Sequence, residues 1–376
     1  MKIVLSPGSF KGSLSAYRAV SAMKEGIRIA GVEAEIVEKP IADGGDDTLE
    51  VLSGQITGRT ITKAVPGPYA DIVDAKYFLS NTGTAYIELA QASGLVLLGP
   101  PLRNPMLTST YGTGLLIRDA LDGGAKKICL TLGGSATNDG GAGIARALGI
   151  RIIDHFGNEV ISNCRGLLEA ENIDLSDMHA GLRDLEIVIA CDVKNPLCGE
   201  WGASYVYGPQ KGAPPAMVEE MDGILCRYGQ LLEVTSGKTL ALLPGSGAAG
   251  GAALPLLAFA NAKIVSGIDL VLDAIGFDAA AEGAALVLTG EGKVDVQTNF
   301  GKAINGLQMR LKPLRIPLLV FAGIIEKDTL GGVAEQLFFC INPPGQKPET
   351  SMKYAYENLR DSVGRVITKF FSPPKH

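Results

Sequence analysis

The stretch from Gly133 to Gly141 is the part of the sequence whose residue types and spacing most clearly indicate a binding site. It follows the apolar run Ile128 to Leu132, so we interpret it as a glycine-rich turn at the end of a strand. A helix predicted from Ala142 to Leu148 would aim free N–H groups at this turn, as an anion site requires. A purely structural turn is the alternative. The side chains suited to binding an anion or a cation are Ser135, Thr137, Asn138 and Asp139.

A second polar turn follows the first predicted strand, Lys2 to Ser6. Its residues Ser9, Lys11 and Ser13 can donate hydrogen bonds to an oxyanion or a phosphate, although the turn lacks Walker A spacing. Ligands of parallel sheets bind at the carboxyl ends of the strands, which is where this turn must lie. Ser13 is also a candidate helix cap, so a capped helix with a surface lysine is the alternative.

Acidic side chains follow two further predicted strands. Asp43 comes after the strand Ala34 to Val37 and is a candidate base or magnesium ligand, whereas Asp46 and Asp47 suit a helix cap. The strand Ala285 to Leu288 is followed by a predicted turn with four candidate polar residues: Glu291, Lys293, Asp295 and Thr298.

Shorter segments supply more charged groups. Asp192 follows the predicted strand Leu185 to Ala190, Lys211 lies inside the turn Gly208 to Gly212, and Arg103 adds a guanidinium. Together the segments offer cationic and amide donors for oxygens, and carboxylates for a metal. Phosphoryl transfer requires this combination.

The segment Gly245 to Gly250 matches the glycine spacing of a dinucleotide-binding loop, and Asp269 follows about 20 residues later. Only a short, doubtful strand, Lys238 to Leu243, precedes it, and no flanking βαβ unit is evident. A phosphate loop at a helix start is therefore favoured over a dinucleotide site, and close helix packing is favoured over both.

The composition excludes several classes of function. A net charge of −6 without a basic run argues against nucleic acid and anionic membranes as partners. Three histidines and six cysteines without a C-x-x-C pair argue against a histidine triad, a zinc site and a disulfide framework. No apolar stretch is long enough to span a bilayer, so we expect a cytoplasmic protein. Monomer and homodimer both stay open.

The order of the predicted elements indicates two domains. A β-α-β-α unit opens the chain, an antiparallel ribbon is predicted from Thr60 to Leu89, and an amphipathic helix from Met217 to Leu232. Two buried-type strands, Pro317 to Phe321 and Gln336 to Ile341, close it. The two strands at the start and three near the end predict a small parallel α/β sheet into which a larger domain is inserted.

In this order, the motifs resemble those of the bacterial glycerate kinase family, type 1, from residue 4 to about 325. The residues that carry the resemblance are Ser9 to Ser13, Ala42 to Gly45, Arg103 to Pro105, Gly133 to Gly141, Cys191-Asp192 with Asn195-Pro196, Gly208 to Gly212, Gly247 to Gly251, and Thr289 to Gly292 with Asp295, Gln297 and Thr298.

The resemblance implies transfer of phosphate from ATP to D-glycerate with Mg²⁺, mostly on the 2-hydroxyl, in a cleft between two domains. It also implies a flavodoxin-like α/β domain formed by both termini, residues 1–58 and 284–376, and an inserted α/β domain, residues 59–283. The alternatives are a glycerate 3-kinase, an NAD-dependent dehydrogenase of a small hydroxy acid, and a non-catalytic sugar-acid sensor.

The resemblance also suggests roles for the candidate residues. Lys11, Asp43, Asp192 and Asp295 are expected to be catalytic, with Asp192 and Asp295 also binding the metal. The residues expected to bind substrate or phosphate are Ser9, Ser13, Arg103, Ser135, Thr137, Asn138, Asp139 and Lys211. Those expected to hold the nucleotide are Gly245, Gly247, Gly250, Glu291, Lys293 and Thr298.

The sequence departs from the family pattern at a few positions. Gly8 stands where the family usually has Asp, and Asp46-Asp47 where Glu-Gly is usual. Tyr69-Ala70 replaces a common Leu-Gly, and Leu115 replaces a frequent Glu. An acid missing at position 8 could change the affinity for metal or substrate.

Overall fold

The computed structural model describes residues 1–45, 47–294, 302–326 and 337–372. The chain divides into two compact units. The terminal unit comprises Met1–Asp43, Glu50–Ile56 and Ile268–His376, and the central unit comprises Gly44–Leu49 and Thr57–Gly267. The domain boundaries expected from the sequence, after residues 58 and 283, stay a prediction.

The terminal unit is built on a five-stranded parallel sheet. Its strands are β1 (Lys2–Leu5), β2 (Glu35–Glu38), β11 (Leu286–Val294), β12 (Leu318–Ile325) and β13 (Phe338–Cys340). They lie in the order β13-β12-β11-β1-β2. Numbered along this unit alone, that order is 2-1-3-4-5, the flavodoxin-like arrangement. The α/β fold with a flavodoxin-like sheet is therefore confirmed.

Helices cover the sheet of the terminal unit. They are α1 (Ala16–Ile29), α2 (Thr48–Gln55), α9 (Gly267–Ala274), α10 (Phe277–Ala281), α11 (Lys302–Leu311), α12 (Pro348–Lys353) and α13 (Ala355–Phe371). Helix α1 buries Val20, Met23 and Ile27, which recur at helical spacing on one face. It begins after Ser15, whose side chain accepts a hydrogen bond from the Arg18 N–H, so the cap predicted at Ser13 is wrong.

Strand β11 is longer than the sequence predicted. The turn expected after Leu288 does not form, because β11 continues to Val294 and pairs in parallel with β12 up to Ile325. Gly290 and Gly292 suggested a turn, yet both lie in this paired strand. The side chains of Glu291 and Lys293 therefore project from a strand end and not from a loop.

The central unit has a six-stranded mixed sheet in the order β10-β9-β6-β5-β4-β3. Its strands are β3 (Gly58–Pro66), β4 (Ile72–Ser80), β5 (Thr84–Glu88), β6 (Lys127–Thr131), β9 (Glu186–Ala190) and β10 (Lys263–Val265). The antiparallel pairing of β3 with β4 and of β4 with β5 confirms the predicted ribbon. The remaining pairs are parallel.

The other elements of the central unit surround this sheet. A separate antiparallel pair consists of β7 (Arg151–Ile153) and β8 (Asn172–Asp174). The helices are α3 (Ala90–Ser93), α4 (Tyr111–Asp122), α5 (Ala142–Ala147), α6 (Ala203–Tyr207), α7 (Pro215–Ser236) and α8 (Leu254–Phe259). Among the residues described, no helix combines the length and the apolar composition needed to cross a bilayer.

Candidate active site

A cavity of about 600 Å³ lies within the terminal unit, at the carboxyl ends of its strands. The residues that line it follow β1, β2 and β13 or end β11 and β12, so every strand of the sheet contributes. Ligands of open α/β sheets bind at this edge, next to the point where the strand order reverses, here between β1 and β11. Six of the predicted site residues line the cavity: Ser9, Lys11, Ser13, Asp43, Glu291 and Lys293.

The turn after β1 is held in shape from both of its ends. Phe10 and Leu14 are buried, and each backbone N–H donates to the other's carbonyl, at 2.8 and 3.0 Å. Ser13 Oγ donates to the Phe10 carbonyl at 3.0 Å, and Gly12 adopts a φ of +77°. Lys11 is therefore presented to solvent at the tip of a closed turn, where its ammonium can reach an anion in the cavity.

Two carboxylates share the cavity with Lys11. Asp43 follows β2, and Glu291 lies near the end of β11. Lys293 also lines the cavity and forms a 2.7 Å ion pair with Glu326, in which both side chains are about half exposed. Such an exposed pair contributes little stability, so the Lys293 ammonium can exchange this partner for an anionic ligand at low cost.

The wall of the cavity nearest β13 is rich in side-chain amides. Asn342 and Gln346 line it together with Ser351 and Met352. The sequence analysis missed these residues, although the segment after the last strand, Asn342 to Gln346, met the same strand-end rule that identified Lys11 and Asp43.

In the central unit, Asp139 fills the turn that we expected to bind an anion. Its carboxylate accepts hydrogen bonds from the N–H groups of Gly141 and Gly143 and from both the N–H and the hydroxyl of Thr110, at 2.8–3.2 Å. Asp139 is fully buried, and this burial raises the pKa of the carboxyl group against the opposing effect of its donors. Two N–H groups at the start of α5 are thus already bonded within the protein.

Lys211 is also buried, and it binds the same turn. Its Nζ donates to the Thr137 carbonyl at 2.7 Å. Burial lowers the pKa of Lys211 to about 7, and the negative charge of Asp139 works against this shift. Gly212, with a φ of +95°, lets the chain pass close to Arg103, because a Cβ there would lie 2.4 Å from the Arg103 carbonyl oxygen.

The other predicted substrate-binding residues of the central unit lie around this turn. Ser135, Thr137 and Asn138 are all buried, and Asn138 Nδ2 donates to Ser204 Oγ at 3.0 Å. Within the described part of the chain, three of their buried polar atoms have no hydrogen-bond partner: Arg103 Nε, Thr137 Oγ1 and Asn138 Oδ1. Direct contact with a substrate would require these groups to become accessible, so their predicted roles stay predictions.

Asp192 follows β9, as the sequence suggested. Its Oδ1 accepts a hydrogen bond from the N–H of Gly267, the first residue of α9, at 2.8 Å. Nearby, Asn195 receives a bond from the Tyr207 hydroxyl and donates to the Trp201 carbonyl, both at 2.7 Å. Its bond to the Gly267 N–H gives Asp192 a structural contact in addition to any chemical role.

The glycines predicted to hold a nucleotide, Gly245, Gly247 and Gly250, are buried against the backbone of the central unit. A Cβ on Gly247 would lie 2.0 Å from the Pro196 carbonyl oxygen, and one on Gly250 would lie 2.3 Å from that of Thr137. Their N–H groups already donate to backbone carbonyls, and Lys238 to Leu243 forms no strand. The geometry favours close packing over nucleotide binding for all three.

A magnesium ion could be held by carboxylates of the terminal unit. Asp43 and Glu291 line one cavity, and Mg²⁺ is commonly bound by one or two carboxylates together with water and phosphate oxygens. The described residues contain no cluster of three or more side chains suited to a metal, which such a site does not require. The predicted site residues Asp295 and Thr298, like Asp46 and Gln297, lie outside the described residues.

Comparison with known proteins agrees with the resemblance found in the sequence. A model described as the glycerate kinase family matches residues 3–371. The chain is 43% identical to the glycerate kinase of Halalkalibacterium halodurans over 85% of each chain, and 39% identical to the glycerate 2-kinase of Escherichia coli over 96% of this chain and 95% of the relative. A crystal structure of a Salmonella typhimurium protein, proposed to be a glycerate kinase 2, matches with a TM-score of 0.88 at 40% identity over 98% of both chains.

Proposed function

Because the chain belongs to the glycerate kinase family and is an enzyme of that family, we propose that it transfers the γ-phosphoryl group of ATP to the 2-hydroxyl of D-glycerate, giving 2-phosphoglycerate. The cavity at the carboxyl edge of the terminal unit carries this proposal. It combines a presented lysine, Lys11, with two carboxylates and a second lysine, and phosphoryl transfer depends on such positioning and charge neutralisation. The 2-hydroxyl is favoured because the Escherichia coli relative is named a 2-kinase.

In this proposal the six predicted site residues that line the cavity have the following tasks. Lys11, with Ser9 and Ser13, binds the oxygens of the phosphoryl group, and Lys293 adds a second positive charge. Asp43 accepts the proton of the glycerate hydroxyl, and Glu291 is the carboxylate suited to Mg²⁺. Bound Mg²⁺ would neutralise phosphate charge during transfer. Asp192 and Asp295 remain proposed as further metal ligands or bases.

The residues of the central unit are assigned a supporting task. We propose that Asp139 and Lys211 fix the shape of the turn from Ser135 to Asn138, and that this turn and Arg103 remain candidates for binding substrate oxygens. The dehydrogenase alternative has lost its main argument, because Gly245, Gly247 and Gly250 are packed against backbone.

An assay of ADP release with D-glycerate, ATP and Mg²⁺ tests this function. Coupling the product to enolase distinguishes 2-phosphoglycerate from 3-phosphoglycerate, since enolase acts on the former. Stabilisation by glycerate without ADP release would instead favour a sensor. Reduction of NAD by a hydroxy acid would favour a dehydrogenase.

The role of Asp43 has its own test. Asp43→Asn should lower kcat by about 10²–10⁴-fold, the usual contribution of a general base, with little change in the KM for ATP. Asp184→Asn, which changes the same charge at an exposed position, is the control. A kcat close to that of the wild type would remove Asp43 from the chemistry.

A further inference from the structure

One wall of the cavity in the terminal unit is not explained by phosphoryl transfer. Asn342, Gln346 and Ser351 line it, and Asn358 of α13 lies directly behind them. We call these four residues the amide wall. They carry no formal charge, so they cannot neutralise the charge of the phosphates.

Hydrogen bonds within the amide wall fix which groups it offers to a ligand. Asn358 Nδ2 donates to Asn342 Oδ1 at 3.2 Å and to Gln346 Oε1 at 3.0 Å, and Ser351 Oγ donates to Gln346 Oε1 at 3.1 Å. Both lone pairs of Gln346 Oε1 are thus used, so Gln346 can offer a ligand only its N–H groups. Asn342 Oδ1 keeps one lone pair. The wall therefore presents a donor beside an acceptor.

The orientation of Asn342 is fixed independently. Its Nδ2 donates to the Gly323 carbonyl in β12 at 2.7 Å, which leaves its Oδ1 as the group shared with Asn358. Since both acceptor oxygens bind the same nitrogen of Asn358, the Asn342 and Gln346 amides are neighbours. Asn358 is a positioning residue: it holds both amides and does not line the cavity.

Apolar side chains next to the amide wall suit a flat ring. Ile324, Ile341 and Met352 line the cavity beside the wall. The Met352 methyl group lies over Gly12, 2.8 Å from where a Cβ would stand on that residue. Methionine adapts its shape to the surface it covers, so Met352 can pack on a ring.

The amide wall lies away from the charged end of the cavity. It follows β13, and β13 is separated from β1 by β12 and β11. At about 4.8 Å between neighbouring strands, β13 and β1 are roughly 14 Å apart, and Met352 of α12, next to Ser351, spans part of that distance by reaching Gly12 of the Lys11 turn. A cavity that extends across these four strands has room for an elongated ligand, with a ring against the amide wall and phosphates at the Lys11 turn.

We propose that the amide wall binds the adenine ring of the phosphoryl donor. Gln346 Nε2 donates to a ring nitrogen, and Asn342 Oδ1 accepts from the exocyclic amine. Adenine presents this pair on its N7 edge, where guanine presents two acceptors. The inference rests on the proposed function, because it requires a nucleoside triphosphate as the donor.

Binding of ligands with and without the base tests the inference. Gln346→Met removes the N–H donors at nearly constant size and without a change of charge, and Gln230→Met at an exposed position of α7 is the control. Titration calorimetry with Mg²⁺-ADP should show about tenfold weaker binding to Gln346→Met, the loss of one or two hydrogen bonds. Binding of inorganic tripolyphosphate and the KM for D-glycerate should not change.

Asn358→Leu tests the positioning role. It should raise the KM for ATP and leave kcat at saturating ATP and the KM for D-glycerate unchanged, a split that general loss of structure would not produce. The wild type provides a test without substitution, because Mg²⁺-ADP should bind about tenfold or more tightly than Mg²⁺-GDP.

Two sets of results distinguish a failure of the proposed adenine site from a failure of the proposed function. Three results would overturn the adenine site alone. Gln346→Met could bind ADP as the wild type does, it could lose tripolyphosphate binding as much as ADP binding, or the wild type could bind ADP and GDP equally. Failure of the wild type to phosphorylate glycerate with any nucleoside triphosphate would overturn the proposed function.

Discussion

Asp139 shows how one buried carboxylate can change the role of a whole turn. The glycines and hydroxyls from Gly133 to Gly141 suggested an open anion site, but the anion held there is the protein's own carboxylate. A carboxylate removed from water is costly unless donors surround it. The Thr110 hydroxyl is one of those donors and also accepts from the Ile144 N–H at 3.1 Å.

Replacing Thr110 by valine should therefore destabilise the central unit. Thr110→Val keeps the shape of the side chain but removes one donor to Asp139 and the acceptor for Ile144. We expect a loss of about 1–3 kcal/mol in the free energy of unfolding, measured with urea. Thr110→Ser keeps the hydroxyl and should lose much less. Equal losses in the two variants would contradict a role for the hydroxyl.

Lys211 should make stability depend on pH. Its pKa is lowered to about 7 in the folded protein, so between pH 7 and 9 the unfolded chain binds more protons than the folded one. The free energy of unfolding should then rise with pH in this window, by at most ~1.4 kcal/mol per pH unit. The difference in unfolding free energy between the wild type and Lys211→Met should rise with pH at this slope. The same difference for Lys126→Met, a substitution at an exposed lysine, should not change with pH.

At the scale of elements, glycines let backbone segments of the central unit approach one another more closely than a Cβ atom would allow. Gly250 and Gly283 have the same φ of +71°, but only Gly250 has another segment against it, with the Thr137 carbonyl oxygen 2.3 Å from a Cβ position. A Cβ on Gly283 would meet nothing within 4 Å. The two positions thus separate backbone strain from steric conflict.

Substituting alanine at both positions measures that difference. Gly283→Ala should cost about 1–2 kcal/mol of unfolding free energy, from its left-handed backbone alone. Gly250→Ala should cost at least about 1–3 kcal/mol more, because neither backbone can move away freely. Similar losses in thermal or urea unfolding would mean that Gly250 is not a packing position.

The sequence predicted elements well where the cause was local. The helical spacing in α1, the alternation in β3 and β4, and the polar residues after β1 and β2 all depend on neighbouring residues. The predicted end of β11 was wrong because pairing with β12 overrides the effect of Gly290 and Gly292. The residues of the amide wall follow β13 and could have been found by the strand-end rule, but their orientation depends on Asn358 of α13 and needed the structure. Buried partners such as Asp139 and Lys211 likewise cannot be recognised from spacing.

At the scale of the whole molecule, the central unit has its own core and its own sheet. Buried residues from β5, β6, β9, α4, α7 and α8 form that core, and they are all supplied by one continuous stretch of chain. The terminal unit instead pairs β1 with β11, so its sheet needs both ends of the sequence.

A fragment spanning residues 44–267 should therefore fold alone. It contains every residue of the central unit, and we expect a cooperative urea transition together with far-ultraviolet circular dichroism typical of mixed α/β structure. A fragment spanning residues 1–43 should show no such transition, because its two strands lack β11 to β13. A gradual, non-cooperative change in the 44–267 fragment would contradict this expectation.

The pairing of β1 with β11 has a consequence for synthesis on the ribosome. Strand β1 is made 283 residues before its partner in β11, the separation between Ile3 and Leu286. At about 5–20 residues per second, β1 waits on the order of tens of seconds for its neighbour. During that time β1 can pair only with β2, and the apolar side chains of Ile3, Val4 and Leu5, which are fully buried in the finished protein, lack the rest of the sheet. We expect chaperones that shield nascent chains to matter more for this segment than for any part of the central unit.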